Sequence, residues 1–166
     1  MSSRLIKLIG WWQIACAALG LGAYLLFASG IISGGRAWIQ HVLGYPLWLT
    51  GVLFFVVAIA SGRAFIRGRS WGLPNTLAIQ FAHSFWFALL GGPHYQVASG
   101  PKIGLTASSY RIGFTFGFES AFFFGTRVSG PSWEFGVNIL AVVWTVLLFR
   151  AWIARDDDRR VVPSAG

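Results

Sequence analysis

Between Leu8 and Ala28 the chain carries no charged side chain. A helix over that run would be about 30 Å long at ~1.5 Å per residue, which matches the hydrocarbon thickness of a bilayer. Runs of similar character recur over Tyr45–Ser61, 73–92 and 132–153, and short basic clusters separate them. Charged residues make up 11% of the 166-residue chain, against about 25% in an ordinary soluble domain. Most of the surface must therefore face something other than water. The pattern predicts a single-domain, all-α integral membrane protein built as a four-helix transmembrane bundle.

The positive charges set the expected orientation. With four spans and the N-terminus inside, Arg4, Lys7, Arg63, Arg67, Arg69, Arg150, Arg155, Arg159 and Arg160 lie on the cytoplasmic side, and Arg36, Lys102, Arg111 and Arg127 lie outside. This excess of inner basic residues follows the positive-inside rule. Both termini are then cytoplasmic, with residues 154–166 forming a charged tail. A bacterial cytoplasmic (inner) membrane is the expected location. The net charge of +8 is scattered between apolar runs rather than gathered on one polar face, so nucleic acid is not an expected partner. Cys16 is the sole cysteine, and Gln13 stands where a lipoprotein signal needs an apolar residue, so the first run is expected to be retained as a span.

One apolar stretch has the wrong period for a span. From Ile112 onward, large side chains at Ile112, Phe114, Phe116, Phe118, Phe122 and Phe124 alternate with small or polar ones at Gly113, Thr115, Gly117 and Glu119. Period two marks a strand with one buried face. A helix here would also carry Glu119 to mid-bilayer, which is costly. The preceding residues alternate too, with Ser99-Gly-Pro-Lys102 and Ser108-Ser109-Tyr110 reading as turns. The expectation is a small extracytoplasmic antiparallel meander over about 94–125, inside an outer loop spanning 93–130. Its six large side chains are the expected partner-binding face.

Polar residues inside the apolar runs supply the second group of candidates. Thr76, Gln80 and His83 share one face of the third helix, Glu134, Asn138 and Thr145 one stripe of the fourth, and Gln13 points inward from the first. Polar groups at membrane depth face the bundle interior and pair there or serve a ligand. Gln13, Gln80, His83, Glu134 and Asn138 are therefore the expected seam for a ligand or a proton, with interhelical hydrogen bonding as the plain structural alternative. His41, His83 and His94 fall in three separate elements without metal-ligand spacing, and no nucleophile stands in a recognisable motif. Neither a metal nor a catalytic set is expected, and the sequence specifies no cofactor.

Two functions lead at this level, ahead of a third, an enzyme acting on a lipid substrate. The first is a non-catalytic accessory or interaction subunit of a larger membrane complex. The second is a small homo-oligomeric transporter, channel or hydrophobic-ligand binder that uses the polar seam. The partners expected are the lipid bilayer and other membrane subunits, or further copies of this chain.

Overall fold

The computed structural model describes residues 2–33, 44–126 and 131–161, with side chains described at 2–26, 49–118 and 131–155. His41, Arg36 and Arg127 lie outside the described residues, and so do the side chains of Glu119, Phe122, Phe124, Arg159 and Arg160. Four helices and four strands follow one another as α1 (Ser3–Ser33), α2 (Gly44–Ile66), α3 (Gly72–Ala82), β1 (Phe85–Leu89), β2 (Pro93–Ser108), β3 (Ile112–Thr126), β4 (Trp133–Asn138) and α4 (Ile139–Val161).

The all-α four-span bundle expected from the sequence is therefore not what the chain forms. Among the described residues only α1 (Ser3–Leu26, mean hydropathy 1.5) and α2 (Leu49–Ile66, mean hydropathy 2.0) are long and apolar enough to cross a membrane. The run at 73–92 is helical only to Ala82, then turns at His83 and Ser84 and continues as β1. The run at 132–153 begins as β4 and becomes helical at Ile139. The physical reason is visible in β4, where Trp133, Phe135 and Val137 alternate with Glu134, Gly136 and Asn138. That is the same period two that marks β3. Apolar length alone does not separate a buried helix from a helix joined to a strand.

The strands make one antiparallel sheet in the order β1-β4-β2-β3, and β1 also pairs with the start of β2 through Phe87↔Tyr95 and Ala88↔His94. The β2–β3 hairpin is long and continuous in register, from Pro93↔Thr126 to Ala107↔Ile112. The turn expected at Ser99–Lys102 does not exist. Gly100 has φ +107° and Pro101 stays paired with Phe118, so the glycine bends β2 without ending it. A side chain at Gly100 would strike Cys16 of α1, which is why the strand can lie so close to that helix. The second expected turn does exist: Ser108 N donates to Arg111 O at 2.9 Å, and Ser108 Oγ accepts from the Tyr110 and Arg111 amides at 3.3 Å.

Two small apolar clusters fix the helices. Ile9, Phe65, Leu73 and Leu148 pack together with Leu5, Leu77 and Trp144 around them. That cluster draws the start of α1, the end of α2, the start of α3 and the middle of α4 to one end of the molecule. Arg4, Lys7, Arg63, Arg67, Arg69 and Arg150 therefore gather about this end. Ala17, Ala58 and Ile79 form the second cluster farther along α1. Beside these clusters and other buried apolar residues such as Phe55, Trp86 and Val97, many large apolar side chains face outward and several polar ones face inward. Leu19, Leu26, Leu53, Val57, Val146 and Phe149 are exposed, whereas Gln13, Ser61, Thr76, Gln80, Lys102 and Asn138 are buried.

Candidate functional site

The polar interior is centred where helix gives way to strand. At the end of α3, Ser84 Oγ donates to Gln80 O at 2.8 Å and lies 3.2 Å from Thr145 Oγ1. The Asn138 amide donates to Ser84 O at 2.8 Å, tying the two junctions together. Asn138 Oδ1 also accepts from the Ala141 amide at 3.5 Å, as a residue just before a helix does. A broken helix leaves orphan backbone groups, and buried ones must find partners. Ser84 and Asn138 supply some of them. Part of the polarity in these two runs is thus the direct cost of changing secondary structure in the interior.

Gln13 reaches the junction from α1. Its Nε2 donates to Ala58 O at 2.9 Å, and its Oε1 accepts from Gln80 Nε2 at 3.3 Å. His83 Nε2 sits 3.4 Å from Ser99 Oγ, and its ring meets Phe54 edge-on at 5.6 Å. Gln13, Gln80, His83 and Asn138 all line one cavity of about 20 Å³, a volume that holds one water. Trp144, whose Nε1 is buried without a hydrogen-bond partner, lines it as well. Four of the five expected seam residues are therefore brought together. Glu134 is not among them.

Glu134 belongs to a second and larger space on one face of the sheet. This cavity of about 490 Å³ is lined by Trp86, Lys102, Thr106, Arg111, Thr115 and Glu134, among others. Trp86 lies flat against the sheet because Gly104 and Gly136 leave it room, and a Cβ at either glycine would run into the ring. The Lys102 ammonium stands 3.3 Å from the centroid of that ring, and Trp86 Nε1 donates to Glu134 Oε1 at 3.5 Å. Thr106 and Thr115 join their hydroxyls at 2.6 Å across the hairpin. Lys102 is only 5% exposed and lines both cavities, so it marks the point where the two polar spaces meet.

The opposite face of the same sheet is apolar and open. Ile112, Phe114, Phe116 and Phe118 are 81%, 82%, 85% and 52% exposed, and Ile103, Leu105 and Phe135 continue the patch across β2 and β4. Among the described residues β3 is hydrogen-bonded to β2 alone. The expected partner-binding residues thus lie on the outer face of an edge strand, as far as Phe118.

Reading the sequence missed Lys102, Trp86, Thr106 and Thr115 as a group. From the sequence alone Lys102 reads as part of a turn and Trp86 as part of a helix. The available signal was the continued alternation Lys102-Ile-Gly-Leu-Thr106 opposite Gly113-Phe-Thr-Phe-Gly117, which places Lys102, Thr106 and Thr115 on the side away from the phenylalanines. Among the described residues no three His, Cys, Asp or Glu side chains come together as a metal set. The chain matches no family model, no curated protein and no solved structure.

Proposed function

We propose that the protein is a non-catalytic interaction subunit of a membrane assembly, anchored by α1 and α2, that binds its partner through the outer face and edge of β3. The observation carrying this reading is the exposure of Ile112, Phe114, Phe116 and Phe118 on a strand with a single hydrogen-bonded neighbour among the described residues. Lipid can cover phenylalanine side chains, but it offers no hydrogen bonds to the N–H and C=O groups of a strand edge. Water can satisfy the edge, but not a patch of this size. A protein surface that adds a strand satisfies both requirements at once.

The anchoring rests on the hydropathy of α1 and α2 together with their exposed leucines and valines. In this reading the basic end formed by Arg4, Lys7, Arg63 and Arg67 faces the cytoplasm, in a bacterial inner membrane. The alternative, a homo-oligomeric transporter or channel, gains less support. The seam cavity has room for about one water, and the Ile9, Phe65, Leu73 and Leu148 cluster stands between it and the basic end.

Mild-detergent extraction followed by intact-particle mass measurement tests the proposal. A stoichiometric complex with another chain is expected, and Phe114→Ser with Phe116→Ser should release this subunit without changing its circular dichroism. A wild-type protein that is monomeric, or a doubly substituted one that stays assembled, refutes it. A particle made of copies of this chain alone would move the reading to the homo-oligomer.

A further inference from the structure

We infer that the basic end of α1, α2 and α4 binds the headgroups of anionic phospholipids in preference to zwitterionic ones. The inference rests on the reading that α1 and α2 anchor the chain in a bilayer, and adds which lipid that bilayer supplies.

The packing brings six cations to one end. A Cβ on Gly10 would strike the Ile66 side chain, and one on Gly62 would strike Ile14, so α1 and α2 are in contact there. Lys7 lies one turn before Gly10, and Arg63 and Arg67 flank Ile66. Arg69 is tied back to α2 by its amide, which donates to Ala64 O at 2.9 Å. Leu148 packs with Ile9 and Phe65, which carries Arg150 to the same end. Arg4, Lys7, Arg63, Arg67, Arg69 and Arg150 are all exposed.

The chain does little to offset this charge itself. No Asp or Glu precedes Glu119, and the three aspartates Asp156, Asp157 and Asp158 stand in the tail among as many arginines, Arg155, Arg159 and Arg160. Glu134, the one carboxylate among the described side chains, is at the sheet beside Trp86. Arg4 and Lys7 are a turn apart, as are Arg63 and Arg67, and like charges at that spacing repel. A layer of anions relieves the repulsion without requiring the cations to converge on one point, because each acts separately at an anionic membrane surface.

The surroundings favour a lipid over a soluble polyanion. Apolar surface begins beside the cations, where Leu8, Trp11 and Val57 are exposed. Trp71 and Trp152 follow Arg69 and Arg150 in the chain and are exposed too, as tryptophans at headgroup level are. A nucleic acid or an acidic peptide would neutralise the cations and leave this apolar surface bare. A phospholipid covers both, with its phosphate against the cations and its chains along α1 and α2.

The test places a fluorophore on the full-length protein at Ser70→Cys, in a Cys16→Ala background, and reconstitutes it in bilayers. Ser70 is exposed between Arg69 and Trp71, and Ser109→Cys at the hairpin turn serves as the control. Spin-labelled phosphatidylglycerol should half-quench the probe at position 70 at about a fivefold lower fraction than spin-labelled phosphatidylcholine. The preference should vanish in about 1 M salt and in Arg63→Gln with Arg67→Gln, and be absent at position 109. Equal quenching by the two lipids at position 70, or a preference that survives both salt and the double substitution, overturns the inference while leaving the anchoring intact. Loss of the preference on adding micromolar polyglutamate also overturns it, and assigns this end to a soluble acidic partner. If neither lipid quenches position 70, the anchoring itself falls, and the inference with it. The salt series leaves all six cations in place, so it stands even if the double variant misfolds.

Discussion

At the scale of single residues, the most constrained polar side chain is Gln13. It is buried, and its amide uses both functions, donating to Ala58 O and accepting from Gln80. Replacing it with leucine leaves the Gln80 amide buried without its acceptor. An unmet buried polar group costs about 1–3 kcal/mol. Gln13→Leu should therefore lower the thermal midpoint in detergent, and adding Gln80→Leu should recover part of the loss, because both partners then become apolar. A double variant whose loss is the sum of the two singles would mean that the pair does not interact.

At the scale of elements, what the sequence reveals depends on which faces an element buries. β3 was legible because its two faces differ so sharply in size, from Phe114 and Phe116 to Gly113 and Gly117. α1 and α2 were legible from uninterrupted apolar length. β1 was not, because Phe85-Trp-Phe-Ala-Leu89 is apolar on both faces: Trp86 packs over glycines on one side, and Phe87 stacks on Tyr95 on the other. A strand apolar on both faces has no period to read. The seam residues could be found as polar interruptions, but their role at a helix-to-strand junction required knowing that the helix breaks. The hairpin also carries a testable weakness. Gly117 lies mid-strand, its φ is not in the left-handed region, and a Cβ there meets nothing within 4 Å. Glycine in a strand interior costs roughly 0.5–1 kcal/mol. Gly117→Val should raise the thermal midpoint by about 2–4 °C, as followed by circular dichroism. A fall would mean that this face of the hairpin is covered.

For the whole molecule, the decisive question is whether the two ends lie on opposite sides of a bilayer. The Ile9, Phe65, Leu73 and Leu148 cluster collects the basic residues at one end, including Arg67 in the short connection between α2 and α3. The hairpin turn carrying Ser109 and Arg111 lies beyond the bend of β2 at Gly100, which itself rests against Cys16 partway along α1. If α1 and α2 cross a membrane, Arg67 and Ser109 must face different compartments. Cys16 is buried and is the sole cysteine, so a Cys16→Ala background makes single-cysteine labelling clean. In sealed inside-out vesicles an impermeant maleimide should modify Arg67→Cys and spare Ser109→Cys, with the reverse result in right-side-out preparations. Labelling of both sites from the same side would mean that the helices do not span. The exposed leucines of α1 and α2 would then need a protein cover, and the partner sought for β3 would have to enclose the helices too.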